Sequence, residues 1–211
     1  MPTQAPVSHH ADLYGYWLTK RGPRAMPARS ELDPADIPML LPYLMIVGKE
    51  GNQFRYRLVG TAVVQAVGYD ATGSTVGSYL LAPGHAVEAR AIFERAFTLA
   101  HPIFATGGFI LKSGADVTMS LLALPLSDDG VAVNMTISTL VARLNASLMA
   151  SRDWLRGLPV KVCDIVDVRS AEHLTKLCLE WEQRVSTEPA NEGPAPFYSP
   201  VIHNPPSARA L

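Results

Sequence analysis

FRYRLVGTAVVQAVGYDATG, residues 54–73, carries the pattern from which the architecture follows. It opens on a two-residue alternation, with Phe54, Tyr56 and Leu58 on one side and Arg55 and Arg57 on the other. That is the period of a strand with one buried and one wet face. The alternation breaks at Gly60-Thr61, passes through a short apolar turn of helix from Ala62 to Val67, and reaches Gly68-Tyr69-Asp70-Ala71-Thr72-Gly73. A strand, short helical turns and a polar bend are the parts of a pocket built against a sheet edge.

Working outward toward the N-terminus, residues 9–21 read as a helix carrying Leu13, Tyr16 and Trp17 and stopped by Gly22-Pro23. Asp33 is placed to cap a short helix with Pro34 at its first position and Asp36 in its first turn. Tyr43 to Val47 reads as an apolar strand, turned by residues 48–52 into the strand that begins at Gln53. Toward the C-terminus, His85 to Ala100 reads as a helix. Ala89, Ile92, Phe93, Ala96, Phe97 and Ala100 form one stripe of a 3.6-residue repeat, with Glu88, Glu94, Arg95 and Thr98 turned to water. Three strands follow, Pro102 to Leu111, Val117 to Leu126 and Val131 to Leu140, separated by turn signals at Lys112-Ser113-Gly114 and Ser127-Asp128-Asp129-Gly130. Two strands, a helical middle and three more strands predict an α+β domain: a five-stranded antiparallel sheet with helices on one face.

Beyond residue 140 the reading is a helix from Asn145 to Arg156, an extended arm or short strand from Val160 to Val168, and a helix from Ser170. The last carries Leu174, Leu177, Cys178, Trp181 and Val185 on one stripe. After Ser186 the chain is rich in Pro, Glu, Asn and Ser, a composition expected of a mobile tail.

Tyr56-Arg57-Leu58-Val59-Gly60-Thr61 followed by Gly68-Tyr69-Asp70-Ala71-Thr72-Gly73 resembles the signature of bacterial PAS domains, and in particular of the PAS_5 subfamily of short stand-alone proteins. Trp17, Arg21-Gly22-Pro23-Arg24, Met26-Pro27-Ala28-Arg29 and Asp33-Pro34 are similar to that subfamily's leader of helix, basic turn and second helix. The resemblance spans about residues 10 to 140. It divides the chain into an N-terminal helical leader (1–40), a PAS core (41–140), a C-terminal extension with helices (141–186) and a flexible tail (187–211). It implies a fold and a sensory or regulatory role more strongly than any one chemistry. It also implies dimerisation through the N-terminal helix, at Leu13, Tyr16 and Trp17.

Composition narrows the function classes. A 48% hydrophobic, 18% charged chain of 211 residues can bury one good core. A formal net charge of −1 gives no electrostatic case for nucleic acid. The longest apolar stretch, Met39 to Val47, contains Pro42 and is far short of a membrane span. With no secretory leader legible, the expectation is a cytoplasmic protein without membrane contact. Cys163 and Cys178 lack the clustering of a zinc or haem attachment site and read as buried thiols.

Candidate chemistry is sparse. The six histidines are scattered: His9-His10 at the start of the first helix, where fraying is expected, His85 and His101 bracketing the long helix, His173, and His203 in the tail. His85 and His101 stand about 24 Å apart along that helix, too far to share a metal. No cysteine lies between Gly60 and Ala100, which argues against flavin bonding; no metal or cofactor is expected. Asp70 with Thr72-Gly73 reads as a structural bend, Gly107-Gly108 as a bulge or close approach, and Lys20, Arg21, Arg24 and Arg29 as a solvated turn. The expected ligand pocket is Tyr56, Leu58, Phe93, Phe97, Met119, Leu121, Met135 and Ile137. Together these readings predict a non-catalytic module that binds a small apolar or amphipathic ligand and signals through a homodimer or a partner protein. The first alternative is an interaction adaptor with a filled core, using Leu174, Leu177 and Trp181. The second is a small isomerase- or cyclase-like enzyme, which would need an acid–base pair facing the cavity.

Overall fold

In the computed structural model, which describes residues 8–67, 70–78, 83–110, 116–129, 131–143 and 160–187, the elements run as follows. Helix α1 (Ser8–Arg21) is followed by three short 3-10 turns, strands β1 (Leu44–Glu50) and β2 (Gln53–Val59), and helices α2 (Thr61–Val67) and α3 (Pro83–Leu99). Strands β3 (Ile103–Ile110), β4 (Asp116–Leu126), β5 (Met135–Arg143) and β6 (Val160–Asp167) lead to helix α4 (Ala171–Thr187). The strands form one sheet in the order β2-β1-β5-β4-β3-β6, and every pair is antiparallel.

Among the described residues the sheet therefore has six strands, not five. Val160–Asp167, an arm or short strand by sequence, pairs along β3. The register of that pairing slips between Thr106 and Gly107, but the extra residue is Cys163 of β6, and β3 pairs with β4 without a break, so the Gly107-Gly108 pair lies opposite a bulge rather than forming one. The expected helix over residues 145–156, the turn at 112–114 and the tail from residue 188 lie outside the described residues.

Helices cover both faces, which corrects the expectation of one. The inner face, under α2 and α3, is built from Met45, Val47, Phe54, Tyr56, Leu121, Ala123 and Leu140, with Ile92, Phe93 and Ala96 of α3 above them. The outer face carries Ile46, Phe104, Leu122, Leu124, Leu126, Ile137 and Val141 against α1 and α4. Two-sided burial explains why Leu44-Met45-Ile46-Val47 and Leu121-Leu122-Ala123-Leu124 are unbroken apolar runs rather than alternating ones.

On the outer side, α1 presents His10, Leu13, Tyr14 and Trp17, spaced i, i+3, i+4 and i+7, and all four are buried. Trp17 donates its indole N–H to the Pro125 carbonyl at 2.8 Å. Leu13 and Trp17, assigned by resemblance to a dimer interface, are 0% and 1% exposed within the single chain. They are spent on the protein's own sheet and cannot meet a second copy without undocking α1. Tyr16 is half-buried and holds the leader instead, donating to the Asp33 carbonyl and accepting from the Asp33 amide. The leader's other end docks where β4 stops: the Arg29 amide donates to the Ser127 carbonyl, and the Ser127 amide to that of Pro27. Its cations are satisfied locally, Lys20 by Asp36 and Arg24 by Glu31, while Arg21 lies over the Trp17 ring.

On the same face, α4 packs on α1 and β3. Leu174, Cys178 and Trp181 are buried there, and Leu177 packs beside them. Arg143 of β5 pairs with Glu182 and lies over the Trp181 ring, and Arg184 reaches Asp164 of β6. The stripe Leu174, Leu177, Trp181 is thus an internal seam and not the adaptor surface expected of it.

Trp17→Ala removes a large buried side chain together with its hydrogen bond. It is expected to lower unfolding stability by about 3–5 kcal/mol in urea titration. A loss under about 1 kcal/mol, the size of an exposed substitution, would show α1 undocked in solution.

Candidate functional site

The inner face is the candidate site. Phe54 of β2 lies against Phe97 and Phe93 of α3, with ring centroids 5.1 and 6.2 Å apart. Tyr56 is buried on the same side. The far edge of β2 is covered by residues 73–76: Gly73 donates to the Tyr56 carbonyl, Tyr56 to that of Ser74, and Val76 to that of Phe54. The bend that brings this segment back is set by local chemistry. The Asp70 carboxylate accepts from the Thr72 amide at 2.9 Å, an interaction that holds its pKa below the usual range, and Gly73 takes a left-handed φ of 82°. The structural reading of Asp70-Thr72-Gly73 holds.

Gly60 makes the turn from β2 into α2 feasible. A Cβ there would stand 2.3 Å from the Pro42 carbonyl oxygen, so only glycine lets the two backbones approach.

Of the residues expected to line the pocket, Tyr56, Phe93, Phe97, Met119 and Leu121 are brought together on the inner face. Leu58 is not. The β1–β2 register slips between Ile46 and Val47, placing Ile46 opposite Leu58 and Val47 opposite Tyr56. Arg57 is the extra residue, and this bulge turns Leu58 away to 42% exposure while Val59 takes the inward place. Met135 and Ile137 are also corrected, since both belong to the outer core. The inward positions of β5 are Thr136, Ser138, Leu140 and Ala142, because Thr136 pairs with Val47 and Ser138 with Met45 and Ala123, all of the inner face or beside it. Phe54, which the sequence reading left out of the pocket, was legible from the same alternation that nominated Tyr56.

The outer face holds the other group the sequence reading misplaced. His10, expected at a frayed terminus, is 0% exposed. Its Nδ1 is 2.7 Å from the Thr139 hydroxyl of β5 and its Nε2 is 2.9 Å from the Ser120 hydroxyl of β4. Burial, reinforced by neighbouring His9, lowers its pKa to about 3, so the ring is neutral. A His–Ser contact of this length is also what activates a nucleophile, but with all three residues fully buried no substrate reaches this one. It is a polar lock that fixes α1 across two strands. Nearby, His9 lies against Tyr43, with ring centroids 4.3 Å apart and planes tilted by 34°. The Cys178 thiol is pushed up to about 12 by burial, with Glu182 adding to the effect, which makes it an unreactive core thiol. The side chains of Cys163 and His85 lie outside the described residues, as does His203. Among the described residues no three His, Cys, Asp or Glu side chains are grouped to hold a metal ion, and no helix is long and apolar enough to cross a membrane.

This arrangement, an antiparallel sheet with a short helix and a long helix closing one face, coincides with the span matched by the model of the PAS domain family PAS_5, residues 6–140. The chain belongs to the PAS domain family. A search of curated proteins finds no match. The PAS span takes in α1 as well as β1 to β5 up to Leu140. The leader helix is therefore part of the family pattern, whereas β6 and α4 lie beyond it. Membership makes the protein a sensory or regulatory module in general terms.

The His10 lock gives stability a pH dependence of definite sign. In the unfolded chain the imidazole takes up a proton near pH 6.5, but in the folded protein only near pH 3. Stability contributed by the neutral ring is therefore present above pH 6.5 and is lost as pH falls toward 3, by up to about 5 kcal/mol in all. Denaturant titrations between pH 4 and 7 are expected to show a shallower slope for His10→Gln than for the wild type. Equal slopes would mean that the ring is solvated.

Proposed function

We propose that this PAS module is a non-catalytic sensor whose ligand, a small apolar or amphipathic molecule, binds between the inner face and α2 and α3. The observation that carries this reading is the sharing of strands between two cores. β1, β4 and β5 each send alternate side chains to the inner core and to the core under α1 and α4. An occupant that shifts Met45, Leu121 or Leu140 shifts the backbone that also carries Ile46, Leu122 and Val141. Close-packed interiors transmit such displacements because they have no slack to absorb them. The output is then the docking of α1 and α4, read by a partner protein or a second copy through surface other than the buried Leu13 and Trp17.

The absence of catalysis is supported by the distribution of titratable groups. Among the described residues the buried acid–base groups other than tyrosines, His10 and Cys178, both lie on the outer face. Among the described side chains, an acid–base pair beside the inner face has no candidate. A ligand can bias the helix docking only by its differential affinity for the two arrangements, typically ~1–3 kcal/mol.

Freshly purified protein, denatured and examined by mass spectrometry, is expected to release a small molecule. Stripping that molecule from the folded protein is expected to change amide exchange in α1 and α4, which do not line the inner face. Unchanged exchange in both helices would sever the proposed route, and a protein that releases nothing and binds no small molecule would end the sensor reading.

A further inference from the structure

Four hydroxyl side chains are fully buried on the middle strands β4 and β5, and they divide by face. Ser120 and Thr139, outward, are both taken by the His10 ring. Thr136 and Ser138, inward and equally buried at 0% exposure, have no hydrogen-bond partner for either oxygen. Their cross-strand neighbours are Val47 and Pro125 for Thr136, and Met45 and Ala123 for Ser138. Val47, Pro125 and Ala123 have no side-chain hydrogen-bonding atom, and the Met45 thioether is only a weak acceptor. Two buried, unsatisfied hydroxyls on one face of one strand are a standing destabilisation that native proteins rarely tolerate without use.

We infer that Thr136 and Ser138 are the polar anchor of the inner-face ligand, which is a neutral amphipathic molecule with a two-point hydrogen-bonding head of the amide or diol kind. This rests on the sensor reading above and adds the ligand's chemistry. The head must offer two polar atoms because residues i and i+2 of a strand stand about 6.6 Å apart, beyond the reach of one oxygen bonded to both at about 2.8 Å. It is uncharged because no Asp, Glu, Lys or Arg is buried among the described residues, so an ionised head would be desolvated with no counter-ion. The apolar body runs over Met45, Val47 and Leu121 toward Phe93. Both hydroxyls are covered in this state, so the ligand enters by displacing what α2 and α3 lay over them. That displacement is the event the strands would pass to the other face.

Octanamide is a suitable probe, with octanoate as its charged counterpart, titrated by calorimetry into the full chain. Wild type is expected to bind octanamide more tightly than octanoate at pH 7. Thr136→Val and Ser138→Ala should each weaken octanamide by about tenfold, while the ligand-free variants melt no lower than wild type because each loses an unsatisfied group. Thr136→Ser, which keeps the hydroxyl, should bind like wild type and guards against misfolding as the cause. Undiminished octanamide binding by the Val and Ala variants would overturn the anchor and leave the sensor reading standing. Tighter binding of octanoate would overturn the neutral head. Hydroxyls bridged only by ordered water in a crystal structure of the occupied protein would do the same to the anchor. A wild type that binds neither probe and releases no small molecule would take both readings down together.

Discussion

Each central strand of this sheet is wetted on neither side, and the rest of the structure depends on that constraint. A strand covered on one face is already held in register, because a one-residue shift turns its whole apolar set to water. Here a one-residue slip of β4 would exchange Leu121 and Ala123 for Leu122 and Leu124, overfilling one core and hollowing the other at once. The register is pinned twice over, and the two layers of helix are obligatory rather than ornamental. Without α1 and α4 the outer face would leave Phe104, Leu122, Leu124 and Ile137 in water, a contiguous patch of the kind soluble monomers avoid. This is why a leader and a C-terminal helix from opposite ends of the chain meet over the same strands.

That constraint also decides how much could be read from the residues alone. Elements with a clean period were legible: the α3 stripe of Ile92, Phe93 and Ala96, the alternation of Phe54 and Tyr56, and the Asp70–Gly73 bend. The PAS resemblance was legible in the same stretch. What failed was the assignment of faces. Met135 and Ile137 look like the inward side of β5 because Thr136 and Ser138 look polar, yet that rule presumes a single core. With a core on each side the polar-looking face is as deeply buried as the apolar one. Leu58 failed for a different reason, since the bulge at Arg57 resets the alternation with no mark in the local composition. His10 failed because a histidine is not counted in an apolar stripe, although its spacing from Leu13, Tyr14 and Trp17 is that of one buried helix face. Leu13 and Trp17 went to a dimer because resemblance says which helix matters, not what covers it.

The two faces differ in how far their buried hydroxyls are satisfied. On the outer side, two strand hydroxyls and a helix side chain satisfy one another, and the charged contacts of Arg143 with Glu182 and Arg184 with Asp164 fasten α4 beside them. A saturated buried network of this kind favours one arrangement, because breaking any member strands the others. On the inner side, of these two strands β5 alone presents hydroxyls, Thr136 and Ser138, and neither has a hydrogen-bond partner, while Phe54 meets α3 through aromatic contacts. α3 is itself fastened to β6 by the bidentate pair of Arg95 with Asp167, so the unsatisfied positions are local to β5 beneath the helices. A contrast between a satisfied and an unsatisfied buried face is what the proposed sensor would draw on, and it arises from the partners available to four hydroxyl groups on β4 and β5.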